Sequence, residues 1–236
     1  MTSVRAYARL IGILVIVSLV AGGFGEAFVP SQLLVSGDAA ATAHNITTSG
    51  SLFRLGFAGY LIEAMCDIAL TLLLYALLRP VREDVALLAV FFRLVATAVF
   101  AGTELFYAGT LLILGGADYL KVFTPEQLDA LALLSLRFYG YGSGLFNVFY
   151  GVGLLLFGYL IVRSRYLPAW LGGLVALAGA GFVLGNFVLV LAPAYSSPLL
   201  LIPTFVGVPA LSLWLLIRGV DVQVWEATRS RPANAM

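Results

Sequence analysis

The sequence has few of the residues on which metal sites and nucleophilic catalysis most often depend. Among its 236 residues there is one cysteine, Cys66, and one histidine, His44. A lone cysteine excludes an internal disulfide and a cysteine cluster for metal. A lone histidine excludes a zinc site of the HExxH type and restricts a Ser-His-Asp triad to the surroundings of His44. We therefore expect neither a bound metal nor a cofactor.

Charge is equally scarce. Only 11% of the residues are charged and 61% are hydrophobic, whereas soluble domains contain about 25% charged and about 45–50% apolar residues. The mean hydropathy is +1.03, which is typical of an integral membrane protein. The net charge of +1 gives no reason to expect nucleic acid as a partner. Membrane lipids are the expected partners, and a small-molecule or lipid ligand is compatible with this composition.

Apolar residues fall in blocks of about 20, the length that a helix needs to cross the hydrocarbon layer. The predicted fold is an all-α, polytopic membrane helix bundle with about six transmembrane helices. The predicted spans cover residues 10–29, 55–78, 85–106, 143–162, 167–191 and 199–217. The third span could continue to Leu114. The first follows Arg5 and Arg9, as a cleaved signal peptide would, but it is longer than the ~7–15 apolar residues of such peptides, so we interpret it as a spanning helix.

The distribution of basic residues predicts the orientation. With the N-terminus inside, nine Lys and Arg residues lie in inner segments and three in outer segments, so the positive-inside rule places both termini in the cytoplasm. Tyr166, Trp170, Trp214 and Trp225 lie near the inner ends of spans, where aromatic anchors are common. We expect a single transmembrane domain over residues 1–225 and a flexible cytoplasmic tail over 226–236.

Two outer connections have local signals. Residues 30–54 form a long connection in which the alanine-rich piece 39–43 predicts a short surface helix, and the segment is either a passive loop or a lid. Residues 124–127, TPEQ, form a capping box that predicts a helix beginning at Pro125. A helix running from there to residue 162 would be about 57 Å long, so we predict a bend in the glycine-rich piece 140–144 and an interfacial helix before it.

Small residues at helical spacing mark one face of the fourth span. Close packing against another helix is the favoured role, because small side chains let membrane helices approach each other. Matching small residues lie on the fifth span. The set comprises Gly140, Gly144, Asn147, Gly151 and Gly158 on the fourth span, and Gly172, Ala176 and either Gly179 or Ala180 on the fifth.

Charges inside the spans are costly and should face one another or water. Counting from the inner end of each span at about 1.5 Å per residue places Asp67 at about 16 Å and Arg93 at about 12 Å, on consecutive antiparallel helices. We therefore predict a buried ion pair between Asp67 and Arg93.

The remaining embedded acids lie farther out. Glu63, Glu26 and Glu104 count to between about 22 and 28 Å, and Asn147 to about 22 Å. We predict a cavity that opens toward the outside, lined by these groups and by Arg137, with Tyr60, Tyr107 and Tyr139 nearby. The alternative is that the acids hydrogen-bond backbone or hydroxyl groups and only fix helix register.

The order and spacing of several strings resemble a known family. They are GDAAATAHNI (37–46), SLFRLGF (51–57), CDIALTLLLYALLRPV (66–81), AVFFRLVATA (89–98), GGADYL (115–120) and PEQLDALALL (125–134). Together they are similar to the bacterial membrane family catalogued as domain of unknown function 4386, over roughly residues 5–220. The resemblance implies a bacterial multi-pass protein, and it implies no reaction, ligand or catalytic residue. We expect the protein in the inner (cytoplasmic) membrane.

The leading functional hypothesis is binding or transport of a small cationic or proton-coupled solute, with Glu63, Glu26 and Glu104 as acceptors. One alternative is a lipid-binding or lipid-modifying enzyme in which a carboxylate acts as general base. Another is a non-catalytic assembly or sensor protein of the membrane. The residue pattern leaves open whether the protein is an enzyme.

Overall fold

The structure is a computed structural model that describes residues 4–195, 199 and 202–230. Helices joined by short turns make up this part of the chain, in which no strand occurs. The α-helices are α1 (Val4–Gly22), α2 (Val29–Leu33), α3 (Ala39–Thr48), α4 (Gly50–Leu78), α5 (Glu83–Ile113), α6 (Pro125–Ser164), α7 (Ala169–Leu191), α8 (Ile202–Ile217) and α9 (Val222–Arg229). A π-helix, Gly23–Phe28, joins α1 to α2, and 3-10 turns cover Asp118–Leu120 and Pro193–Tyr195.

The described helices match the predicted number of membrane crossings. Five segments are long and apolar enough to span a membrane, and α8 with α9, bent by 102°, makes a sixth if that pair is one span. The all-α, polytopic bundle is confirmed. The predicted extension of the third span is also confirmed, since α5 ends at Ile113. The predicted sixth span, 199–217, is described only at residue 199 and from Ile202 onward.

Helix α6 corrects one prediction. The capping box is present, with Thr124 N donating to Gln127 Oε1 at 2.9 Å and Gln127 N donating to Thr124 Oγ1 at 3.4 Å. The helix then runs unbroken for 40 residues through Gly140–Gly144, so the separate interfacial helix predicted before a bend is wrong. Glycine tolerates unusual backbone angles but does not require them, and unpaired backbone groups are costly where water is absent.

The connection predicted over residues 30–54 is mostly helical. Helix α2 continues to Leu33, α3 confirms the predicted short helix, and α4 begins at Gly50. Asp38 caps α3 through its Oδ1, which accepts from Ala41 N at 2.9 Å. Asn45 Nδ2 donates to Leu33 O at 3.2 Å. The hydrogen bonds of Asp38 and Asn45 therefore hold this segment in place.

The backbone divides into two compact units. Unit 1 comprises residues 1–17, 66–97 and 145–236, and unit 2 comprises residues 18–65 and 98–144. The core of unit 1 is aliphatic, with residues such as Ile11, Leu78 and Leu171 fully buried. The core of unit 2 is aromatic and contains Phe53 and Tyr60. A single domain over residues 1–225 stays a prediction.

Within unit 1, α6 and α7 pack through glycines. A Cβ built on Gly158 would lie 2.7 Å from Gly172 O, and one on Gly151 would lie 2.7 Å from Gly179 O. Only hydrogen fits between the two backbones at these positions. The packing role predicted for these small residues is confirmed there, whereas a Cβ on Gly140 would meet nothing within 4 Å.

The carbonyl of Leu77, in the last turn of α4, accepts hydrogen bonds from side chains that come later in unit 1. Tyr166 Oη donates to Leu77 O at 2.7 Å, and Trp225 Nε1 donates to the same oxygen at 3.0 Å. Burial raises the pKa of the Tyr166 hydroxyl, so it remains a donor at neutral pH. Because Trp225 is fixed in this way and Asp221 caps α9, residues 226–229 are helical rather than part of a flexible tail. Residues 231–236 of the predicted tail lie outside the described chain.

Candidate functional site

The π-helix of unit 2 determines where Glu26 lies. The segment Gly23–Phe28 has the wider hydrogen-bonding pattern, with Val29 N donating to Phe24 O. Pro30 follows Glu26 by four residues and has no N–H, so a regular α-helix could not complete the bond from residue 30 to Glu26 O. Glycines at 22, 23 and 25 make the local widening inexpensive. Single π-turns inside helices are common at functional sites, and here the turn presents an exposed Glu26.

Glu104 is more deeply buried than Glu26 or Glu63. It lies on α5 with 4% of its surface exposed, and neither carboxylate oxygen has a hydrogen-bond partner among the described residues. The carboxylate interacts electrostatically with that of Glu26, which is also in unit 2. Buried polar groups almost always have partners. Glu104 is therefore positioned to receive a proton or a cation.

Three tyrosines lie around Glu26 and Glu104, which we call the acid pair. The ring centroids of Tyr60, Tyr107 and Tyr139 are 5.1 to 5.6 Å apart, and all three interact electrostatically with Glu104. Tyr60 Oη donates to Gly25 O in the π-helix at 2.8 Å. Tyr107 Oη donates to Phe53 O at 3.1 Å. The hydroxyls thus tie α4, α5 and the π-turn together around Glu104.

Glu63 lies against the backbone of α1, immediately before the π-turn. It is half-buried on α4, and its carboxyl carbon lies 2.7 Å from the point where a Cβ on Gly22 would be. The side chain therefore rests on the backbone of α1, where only glycine leaves room for it. Among the described residues, no group of three or more His, Cys, Asp or Glu side chains is close enough to hold a metal ion.

The predicted cavity also includes Arg137 and Asn147, whose part in it stays a prediction. Arg137 is exposed and takes part in no ion pair within the described chain. Asn147 is half-buried on α6 and belongs to unit 1, whereas the acids belong to unit 2. Within unit 2, Glu26 and Glu104 interact electrostatically with each other and with Tyr60 and Tyr139.

Unit 1 contains the second predicted arrangement. Arg93 Nη2 donates to Asp67 Oδ1 at 2.7 Å, with side-chain exposures of 2% and 5%. The guanidinium carbon lies 3.9 Å from the ring centroid of Tyr150. A Cβ on Gly153 would lie 2.9 Å from Arg93 Cγ, so this glycine makes room for the arginine. The guanidinium is paired with a carboxylate and packed on an aromatic face, while its Nε has no hydrogen-bond partner among the described residues.

Sequence reasoning missed two features of these sites. The glycines before Glu26 and Pro30 after it are the signal that could have indicated the π-turn. Tyr150 gave no comparable signal, because a ring that will contact an arginine on another helix looks like any aromatic anchor until helix rotation is known.

A family model identifies the family of this chain. The family model described as "Domain of unknown function (DUF4386)" matches residues 10–219. The chain belongs to this family. The resemblance inferred from the sequence strings is confirmed.

The similar protein found for this DUF4386 chain is described without an activity. An uncharacterised protein of Archaeoglobus fulgidus is 29% identical over 161 residues, which cover 68% of this chain and 82% of that protein. No solved structure matches the chain significantly. The acid pair and the Asp67–Arg93 pair both lie inside the matched range, whereas Arg5 precedes it.

Proposed function

We propose that this DUF4386 membrane protein binds a small cation in exchange for a proton, with Glu104 and Glu26 as the exchanging carboxylates. The observation that supports this most directly is the Glu104 carboxylate, which is buried with both oxygens unpartnered among the described residues. Glu26, exposed on the π-turn, provides the entry point to it. Glu63 is a further acid of this unit, and its carboxyl group lies against Gly22.

The energetics favour exchange at this position. An ionised carboxylate that is buried away from water is costly unless it is paired, and Glu104 is buried. Glu104 avoids that cost by holding a proton or by pairing with a cation, and the neighbouring Glu26 charge makes two ionised carboxylates without a cation unfavourable. A cation that enters therefore displaces a proton.

The aromatic packing limits the size of the cation. Phe53 stacks on Tyr107 at 4.0 Å, and the tyrosine rings contact one another at 5.1 to 5.6 Å. Rings at these separations are in van der Waals contact, so no organic ammonium group fits between them. A small inorganic cation or ammonium is the proposed ligand class.

Glu104→Gln is expected to abolish cation-induced proton release while preserving the fold. Glutamine has the shape of the neutral acid but has no proton to exchange. The purified protein is placed in weakly buffered detergent solution, and sodium, potassium or ammonium chloride is added while a pH indicator is monitored. The wild type should release protons in proportion to protein concentration, and Glu104→Gln should release none.

Glu63→Gln is the matched control, since it removes another acid of the same unit and leaves Glu104 and Glu26 in place. It should release protons as the wild type does. Proton release that persists in Glu104→Gln, or that disappears in Glu63→Gln alone, contradicts the assignment. Absence of release from the wild type with all three salts rejects cation exchange at this site.

We also infer that the protein resides in the inner (cytoplasmic) membrane of a bacterium with both termini in the cytoplasm. The excess of basic residues in the segments on one side supports this orientation. Alkaline phosphatase fused after Met236 should be inactive, because the enzyme requires export, and green fluorescent protein at the same position should fluoresce. The reverse pattern contradicts the orientation.

A further inference from the structure

A cavity lies within unit 1, and none of the acids predicted inside the spans, nor Arg93, is in its lining. Its volume is about 480 Å³, and it is bounded by the start of α1, the connection between α6 and α7, and the bend between α8 and α9. The polar and aromatic side chains in its lining are Arg5, Tyr166, Trp214, Arg218, Asp221 and Gln223. A volume of this size is within the range of about 300–1,000 Å³ found for small-molecule sites.

The charges in the lining favour an anion. Arg5 and Arg218 are both exposed, and neither forms an ion pair with a carboxylate among the described residues. Asp221 is the lining's carboxylate, and its Oδ1 already accepts from Val224 N at 3.1 Å as the cap of α9. Two guanidinium groups against one helix-capping carboxylate leave the lining with an excess of one positive charge. Planar guanidinium groups match the geometry of phosphate oxygens.

The walls of the cavity are held by hydrogen bonds that do not depend on a ligand. Tyr166 Oη donates to Leu77 O at 2.7 Å, and Asp221 N donates to Tyr166 O at 3.1 Å. Gly219, at φ +70°, ends α8 in the left-handed conformation that produces the bend into α9. A preformed cavity of this kind loses little affinity to reorganisation on binding.

The two tryptophans of this region favour a lipid head group as the source of the anion. Trp214 lines the cavity, and its ring packs edge-on against exposed Trp170 at 5.9 Å. Tryptophan is enriched at the level of lipid head groups, and basic pockets between membrane helices bind anionic head groups. The same phosphate chemistry is presented by free phosphate in solution.

We propose that this cavity binds a phosphate group, carried by the head group of an anionic phospholipid or free in solution, through Arg5 and Arg218. The proposal is independent of cation exchange at Glu104, because none of the residues involved is shared. Phosphate oxygens would accept from both guanidinium groups, and Gln223 would contribute an amide donor.

The decisive variant is the double substitution Arg5→Gln/Arg218→Gln. Full-length protein in zwitterionic detergent is titrated with phosphatidylglycerol, with phosphatidylcholine and with inorganic phosphate, and binding is followed by thermal shift and by native mass spectrometry. Losing two arginine contacts should weaken phosphatidylglycerol binding at least about tenfold. Preference for phosphatidylglycerol with no phosphate binding assigns a lipid, and binding of inorganic phosphate as well assigns a free anion.

Arg9→Gln/Arg163→Gln is the matched control, because it removes the same charge from exposed positions outside the lining. Gln223→Glu is a second test: a carboxylate in the first turn of α9 favours that helix, yet it should repel the phosphate. The proposal is overturned if the wild type binds none of the anions, if Arg5→Gln/Arg218→Gln binds like the wild type, or if the control loses as much affinity.

Discussion

Replacing Arg93 by leucine is expected to lower the free energy of unfolding by about 3–5 kcal/mol. The substitution removes the guanidinium that is hydrogen-bonded to Asp67 and packed on Tyr150, and it leaves the Asp67 carboxylate buried without its counter-charge. The loss is therefore largely the cost of an uncompensated buried acid. Thermal or denaturant unfolding of the purified protein in detergent measures it as a lower midpoint.

Two comparisons separate this effect from a general loss of arginine. Arg82→Leu breaks the exposed pair with Asp84 and should leave the unfolding midpoint nearly unchanged, because water screens such pairs. Arg93→Leu combined with Asp67→Leu should be more stable than Arg93→Leu alone, because no buried charge remains unpaired. A melting curve of Arg93→Leu that superimposes on the wild-type curve contradicts a structural role for the pair.

The fold was predictable from the sequence because bilayer thickness constrains it. Apolar blocks of about 20 residues can only be spanning helices, and the capping box at 124–127 located the start of α6 correctly. The bend predicted at 140–144 failed because glycine content was taken as a break. In an apolar environment the intrahelical hydrogen bonds of α6 outweigh the small loss of propensity that each glycine causes.

The sequence predicts how deep the candidate site residues lie along their helices, but not which way their side chains face around the helix axis. Counting residues placed Asp67 and Arg93 at compatible levels, and the structure joins them. The same count grouped Glu63 with Glu26 and Glu104, but depth does not indicate which way a side chain faces. In addition, the π-turn inserts one residue into the helix and rotates the residues after it by about 100°. The face expected for Glu26 from regular α-helical periodicity was therefore unreliable.

Gly158→Ala is expected to destabilise the protein by at least about 1–3 kcal/mol, although it adds a single methyl group. A Cβ at this position would lie 2.6 Å from Ala176 N and 2.7 Å from Gly172 O. Both contacts are backbone atoms, which cannot rotate away as a side chain would, so α6 and α7 must separate. Thermal unfolding in detergent should show a lower midpoint. Gly173→Ala is the control, because a Cβ there meets nothing within 4 Å and the better helix propensity of alanine is worth up to about 1 kcal/mol.

The reciprocal substitution tests whether the interface itself is responsible. A Cβ on Gly172 would lie 2.6 Å from Gly158 O and from Val162 N, so Gly172→Ala should be destabilising for the same reason. Once one methyl group has pushed the helices apart, the second meets less resistance, and Gly158→Ala/Gly172→Ala should lose less stability than the sum of the two single variants. Additive losses, or a Gly158→Ala midpoint equal to that of Gly173→Ala, would mean that the close backbone approach does not limit the packing of α6 and α7.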